Sequence, residues 1–226
     1  MEKSKIVEKI EAFAPLETQE KWDCSGFAVE TDRKDIQKIM LCLTVTQDIF
    51  RQAREQNCDM IISHHPLFYV PLQWRDIDIY CAHTNLDKAH GGTTDTLIET
   101  FGFKISDAQE FVRYVDAEIS LQDLLKKLKK ISPNLRYVNN HGMIMFKKIA
   151  FCAGSGSEFI QEAYDNGADA FVTGDLKFHT ALESPIVVFD IGHFESEILV
   201  LPVFERIIDA EFVYADEKSP FINIDK

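Results

Sequence analysis

Short apolar runs alternate with segments of helical periodicity along most of the chain. The runs KIMLCLTV at 38–45 and DMIIS at 59–63 predict two buried strands. Between them, QDIFRQAREQ at 47–56 has the period of an amphipathic helix. A crossover of this length joins parallel strands in a βαβ unit. DIYCA at 78–82 predicts a further strand, and the helix TDTLIETF that follows it is expected to end at Gly102.

The second half repeats the alternation. Ser120 and Asp123 mark the start of a helix that Pro133 terminates. HFESEILVLPVFERIIDA predicts one long helix, kinked at Pro202 because proline removes a backbone hydrogen bond. The remaining elements are strands at 148–154, 169–174 and 186–190, a last strand EFVYA, and helices at 157–167 and KFHTALE.

The pattern weakens over 103–118, which predicts a junction between two halves, 1–108 and 109–226. The first half would contain the candidate metal-binding residues that follow the strands at 59–63 and 78–82. The second half would contain those that follow the strand at 186–190. The expected fold class is therefore α/β, with two α/β halves that contain largely parallel sheets.

Composition and charge narrow the protein class. The 226 residues have 46% hydrophobic and 27% charged residues, typical of a globular protein. A formal net charge of −13 opposes general nucleic-acid binding and anionic membranes, because phosphate neutralisation requires clustered Lys and Arg. The five cysteines form no Cys-x-x-Cys pair, the N-terminal helix lacks a signal-peptide core, and no run reaches the roughly 18 apolar residues of a membrane span. We therefore expect a cytoplasmic protein.

Side chains suited to metal binding follow three of the predicted strands. His64 and His65 come directly after 59–63, and His83, Asp87 and His90 follow 78–82. Open α/β sheets place ligand sites at the carboxyl ends of parallel strands. Each cluster alone also fits ordinary surface or turn chemistry, since Asn, Asp and Gly favour loops.

The third cluster, His193 and Glu197, follows the 186–190 strand at the spacing that puts two side chains on one helix face. Together the three clusters predict a metal site at the strand carboxyl ends, between the two halves. Imidazole and carboxylate ligands without thiolate suit Zn, Fe, Mn, Co or Ni. The set exceeds what one catalytic zinc requires, and two divalent ions about 4 Å apart would use all of it.

Several longer stretches resemble the Nif-three-like family of dinuclear-metal proteins, often labelled GTP cyclohydrolase 1 type 2 homologues. They are WDCSGFAVE, ISHHP, AHTNLDKAHGG, AGSGSEFIQEAYDNGADAFVTGDLKFH and DIGHFESE. The resemblance implies a homohexameric ring, with the metals facing an internal cavity. The metal ligands that it implies are His64, His65, Asp87, His193 and Glu197. The sequence departs from the family pattern at Cys24–Phe27 and at Thr94, which bears on substrate choice more than on metal binding.

Two further groups have alternative interpretations. The resemblance puts His179, in TGDLKFH, near the metals as a proton carrier or anion ligand, whereas a packed histidine is the structural alternative. The turn at Gly154–Ser157 either directs backbone N–H groups at a phosphate or is a plain strand-to-helix turn.

The functional hypothesis is a metal-dependent hydrolase of a nucleotide or other phosphorylated small molecule, with His83 or His179 as the proton carrier. GTP is suggested only by the family label. The alternatives are a non-catalytic metal-binding or regulatory oligomer and a purely structural metal site, which differ from the hydrolase in having no open coordination position.

Overall fold

A computed structural model describes residues 1–222 of the chain. It divides into two compact units. The first consists of Met1–Gly92 together with Val200–Lys218. The second consists of Thr93–Leu199 together with the segment that begins at Ser219. Among the described residues, every helix is too short or too polar to cross a bilayer.

Helices and strands alternate through both units, as the periodicity predicts. The helices are α1 (Lys3–Phe13), α2 (Gln47–Glu55), α3 (Thr84–Lys88), α4 (Thr93–Thr100), α5 (Leu121–Leu128), α6 (Ile160–Asp165), α7 (Phe178–Glu183), α8 (His193–Glu197) and α9 (Pro202–Ile207). The strands are β1 (Gly26–Val29), β2 (Lys38–Cys42), β3 (Met60–Ser63), β4 (Asp78–Cys81), β5 (Asp107–Ala108), β6 (Arg113–Ser120), β7 (Arg136–Val138), β8 (Met145–Phe151), β9 (Ala170–Thr173), β10 (Val187–Asp190) and β11 (Glu211–Tyr214).

The first unit is built on a five-stranded sheet in the order β1-β4-β3-β2-β11. The pairs β4–β3, β3–β2 and β2–β11 are parallel, and only β1 runs antiparallel at its edge. The predicted βαβ unit of β2, α2 and β3 is confirmed. Strands β3 and β4 are buried along their whole length, which is why they appear in the sequence as continuous apolar runs.

The second unit has a six-stranded sheet in the order β5-β6-β8-β9-β10-β7. Its centre, β8-β9-β10, is parallel, and the flanking strands pair antiparallel. Two apolar clusters pack on this sheet, one around Phe146, Phe151 and Phe189 and the other around Ile160 and Phe171. The predicted α/β class, with two sheets and parallel strands at their centres, is confirmed.

The division of the chain differs from the boundary expected after residue 108. The first unit ends at Gly92, so that α4 already belongs to the second unit. The chain returns to the first unit at Val200, because β11 adds to the sheet as a parallel neighbour of β2. Glu217 strengthens this return by accepting a hydrogen bond from the backbone N–H of Leu43 at 2.5 Å.

Two local predictions were wrong. The weak pattern at 103–118 conceals most of β6, an eight-residue strand whose pairing with β8 shifts register between Asp116 and Ile119. The long helix expected from His193 onward is instead α8, a 3-10 turn and α9, because Pro202 occupies the first turn of a new helix. Proline is well accommodated there, since that N–H has no partner within the helix.

Candidate metal centre

His64 and His65 extend the path of β3 just past its carboxyl end. Their backbone N–H groups donate to Cys42 O at 3.2 Å and Leu43 O at 2.7 Å, which continues the ladder to β2. His64 is fully buried and His65 is half-buried. Their ring centroids lie 5.2 Å apart, so the two adjacent imidazoles converge as the sequence predicts.

The neighbouring strand end adds His83 and Asp87. His83 precedes α3, and Asp87 lies one helical turn later. The His83 ring lies 5.3 Å from the His64 ring and 5.8 Å from the His65 ring. Ligand nitrogens of these three histidines all lie within 4.8 Å of one another. Asp87 Oδ1 lies 3.4 Å from His64 Nε2, which brings a carboxylate to the same group in the first unit.

A buried carboxylate, Asp23, supports His83. Its Oδ1 lies 3.0 Å from His83 Nδ1, and its other oxygen accepts from the Thr84 backbone N–H at 3.0 Å. Burial alone would raise the pKa of Asp23, but the hydrogen bonds from Thr84 and His83 outweigh it and lower the pKa to about 2. Burial and the nearby His64 lower the pKa of His83, despite the opposing effect of Asp87 and Asp23. The pair is therefore an ionised carboxylate beside a neutral imidazole at pH 7.

The second unit brings His193 and Glu197 together at the carboxyl end of β10. Helix α8 begins at His193, so the predicted spacing places both side chains on one face, with His193 Nε2 2.9 Å from Glu197 Oε2. Asp175 Oδ2 lies 2.7 Å from His193 Nδ1. Burial would lower the pKa of His193, but hydrogen bonds and charge from Glu197 and Asp175 raise it to about 9.

The turn after β8 packs directly against Glu197. Gly154 has a φ of +67°, and a Cβ added there would overlap the Glu197 carboxylate. The N–H of Gly154 donates to Ser196 Oγ at 2.9 Å, and that of Gly156 to Thr173 Oγ1 at 2.8 Å. Because these donors are used within the protein, the turn acts as a wall for Glu197 and does not present these N–H groups to a phosphate.

The hydrogen bonds at Nδ1 set the tautomers of His64 and His83. His64 Nδ1 lies 2.9 Å from the carbonyl oxygen of Ala82, and His83 Nδ1 lies 3.0 Å from Asp23 Oδ1. A carbonyl or an ionised carboxylate only accepts, so Nδ1 carries the proton and the lone pair resides on Nε2 when the ring is neutral. Metal-binding histidines in proteins are held in this way by an acceptor on the second nitrogen.

The donor separations fit divalent ions. Two ligand atoms about 2.1 Å from one ion are about 3.4 Å apart at a tetrahedral angle and about 3.0 Å apart at a right angle. The His64–Asp87 separation of 3.4 Å and the His193–Glu197 separation of 2.9 Å match these values. The donors are imidazole and carboxylate throughout, so each group is suited to a divalent transition metal.

Two predicted residues are not members of these groups. His179 is exposed on α7, where its ring contacts Phe178, so it is not the packed histidine of the structural alternative. His90 is exposed in the turn after α3.

Sequence reasoning missed the roles of Asp23 and Asp175. Asp175 has a φ of +53°, unusual for a non-glycine residue, and such strain is concentrated at functional sites. Asp23 lies inside the WDCSGFAVE stretch, and only the fold shows its partner.

Comparison with known proteins gives a consistent result. The family model described as Duf34/NIF3 (NGG1p interacting factor 3) matches residues 1–226. The GTP cyclohydrolase 1 type 2 homolog of Clostridium perfringens (strain 13 / Type A) is 33% identical over 264 residues, covering 98% of this chain and 99% of that protein. The Campylobacter jejuni protein of the same name is 33% identical over 217 residues, covering 87% and 88%.

Solved structures agree with these sequence matches. Reduced HcgD from Methanocaldococcus jannaschii has a TM-score of 0.83 at 27% identity and covers 96% of this chain and 98% of its own. Staphylococcus aureus hypothetical protein SA1388 shares the fold with a TM-score of 0.87 at 21% identity, covering 99% of each chain. On the full-length family match and these relatives, the chain belongs to the DUF34/NIF3 family.

Proposed function

We propose that the protein binds two divalent metal ions and hydrolyses a nucleotide or another phosphorylated small molecule. The observation that carries the proposal is the convergence of metal-ligating side chains: the ligand nitrogens of His64, His65 and His83 lie within 4.8 Å of one another, and His193 Nε2 lies 2.9 Å from Glu197 Oε2. The proposed ligands, taken from both units, are His64, His65, Asp87, His193 and Glu197.

The donor chemistry supports Zn, Fe, Mn, Co or Ni at this centre, because the set contains imidazoles and carboxylates and no thiolate. The name GTP cyclohydrolase 1 type 2 homolog, which the bacterial relatives carry, supports a nucleotide as the substrate class. A net charge of −13 is compatible with such an anionic substrate, since divalent cations reverse the local sign of the potential.

In this proposal the chain's own residues hold the centre and move protons. Divalent ions, when bound, supply Lewis acidity and a water activated near neutral pH. His83 lies beside His64 and His65 with a lone pair on Nε2, and in this proposal it accepts a proton from the attacking water. His179 is the second candidate for proton transfer. The homohexameric ring implied by the resemblance stays a prediction.

Metal analysis of purified variants tests the ligand assignment. We expect His65→Ala and Glu197→Gln to lose most of the bound metal while retaining a cooperative thermal unfolding transition. His90→Ala is the matched control, because His90 is exposed and lies outside both groups. Unchanged metal stoichiometry in His65→Ala and Glu197→Gln would refute the assignment.

Catalysis needs a separate assay. The metal-loaded wild type should hydrolyse at least one substrate in a panel of nucleotides and phosphorylated small molecules faster than His64→Ala does. Equal rates for the two proteins across the panel would reject the hydrolase and favour the non-catalytic metal-binding alternative.

A further inference from the structure

The carboxylate of Asp23 is surrounded by hydrogen-bond donors from two segments of the first unit. Oδ1 accepts from the Cys24 backbone N–H at 2.6 Å and lies 3.0 Å from His83 Nδ1. Oδ2 accepts from Ser25 Oγ at 3.0 Å and from both the backbone N–H and the hydroxyl of Thr84. The Asp23 side chain has no solvent exposure. A carboxylate so enclosed by donors acts only as an acceptor.

This environment decides which nitrogen of His83 carries the proton. An acceptor-only partner at 3.0 Å requires Nδ1 to donate, so the lone pair of the neutral ring resides on Nε2. The ring stands edge-on to both His64 and His65, at interplanar angles of 63° and 82°. The ligand atom of His83 belongs to the same cluster as those of His64 and His65.

We propose that Asp23 is a positioning residue that keeps the proton of His83 on Nδ1 and directs the Nε2 lone pair toward the His64–His65 pair. A role of that lone pair in proton transfer rests on the proposed function. The assignment of the His83 tautomer is independent of the proposed function. Asp23 acts through His83 and not on the substrate or the ions. A purely structural alternative exists, because Asp23 also accepts from the backbone N–H and the hydroxyl of Thr84 and so holds the start of α3.

Nitrogen-15 NMR of the metal-free protein tests the tautomer directly, because protonated and lone-pair ring nitrogens have distinct shifts. The His83 signals are identified by their loss in His83→Gln. We expect the wild type to show a single Nδ1–H form of His83. A wild-type His83 in the Nε2–H form would overturn the proposal without any Asp23 variant being needed.

Two variants separate positioning of the His83 proton from the structural support that Asp23 gives to Thr84. In Asp23→Asn, one orientation of the amide places its NH₂ where Oδ1 stood, and this group then donates to Nδ1 and moves the ring proton to Nε2. This orientation also faces the Cys24 N–H, and the other orientation places the NH₂ against the Thr84 N–H, so neither one reproduces the acceptors of the carboxylate. We expect Asp23→Asn to lose the Nδ1–H form. Thr84→Val removes a donor from Oδ2 but leaves the His83 contact, so it should retain the Nδ1–H form. Equal loss in both variants would support the structural alternative and overturn the proposal.

Kinetic measurements test the role of Asp23 independently of the NMR experiment. With any substrate that the wild type hydrolyses, Asp23→Asn should lower kcat by roughly 10–100-fold and leave KM unchanged, which is the range for residues that orient a ligand or base. An unchanged kcat would overturn the proposal. A wild type that binds no metal would instead refute the proposed function, and the NMR result would stand.

Discussion

Gly154 offers a sharp test of Glu197 as a metal ligand. The Gly154 N–H donates to Ser196 Oγ, and its carbonyl accepts from the Gly174 N–H at 2.8 Å and from Thr173 Oγ1 at 3.2 Å. The backbone is therefore fixed, and the methyl group of Gly154→Ala would displace the Glu197 carboxylate that it overlaps. We expect this variant to bind divalent metal more weakly.

Two magnitudes follow from the structure. Alanine at a φ of +67° costs about 1–2 kcal/mol of unfolding free energy, which a domain of ordinary stability tolerates. Mutation of a residue that hydrogen-bonds to a metal ligand typically weakens metal binding by roughly 10–100-fold, or about 1.4–2.8 kcal/mol. Displacing a ligand itself should weaken metal binding by at least as much.

Gly167→Ala is the matched control. Gly167 lies in the same unit at a φ of +79°, with nothing within 4 Å of an added Cβ. It should lose similar stability in chemical denaturation and retain the wild-type metal affinity in calorimetric titration. Equal metal affinity in Gly154→Ala and Gly167→Ala would refute the role given to Glu197.

Two further predictions concern the metal-binding reaction itself. Since the pKa of His193 is raised to about 9, most molecules carry a proton on this ring at pH 7, and metal binding must displace it. Calorimetry in buffers of different ionisation enthalpy should detect about one proton released from His193, with affinity rising as the pH increases toward 9; a pH-independent affinity would contradict this. Trp22 is 61% exposed with its ring 5.9 Å from the His83 ring, whereas Trp74 is buried against Phe50. Co²⁺ should therefore quench wild-type tryptophan fluorescence and have much less effect on Trp22→Phe, and equal quenching would place the ion elsewhere.

Local signals predict the central strands and part of the site. Strands β3 and β4 are buried on both faces, so continuous apolar runs reveal them, and ligand candidates at their ends follow from the parallel topology. The spacing of His193 and Glu197 predicts a shared helix face, and α8 confirms it.

Other features depend on contacts that no local pattern carries. In β6, the buried Arg113, the exposed Asp116 and a register shift before Ile119 break the alternation that identifies strands. Strand β11 is distant from β2 in the sequence but pairs with it in the first sheet. Periodicity along the chain therefore could not predict the boundaries of the two units. Asp23 meets His83 across 60 positions, so its role emerges only in the folded chain.

The proposed function requires that His64, His65, Asp87, His193 and Glu197 hold a pair of divalent ions. Anomalous X-ray diffraction from crystals of the metal-loaded protein, measured on both sides of the metal's absorption edge, tests it most directly. We expect two anomalous peaks, each within coordination distance of side chains from this set. Ions absent from these side chains, or bound only elsewhere, would contradict it.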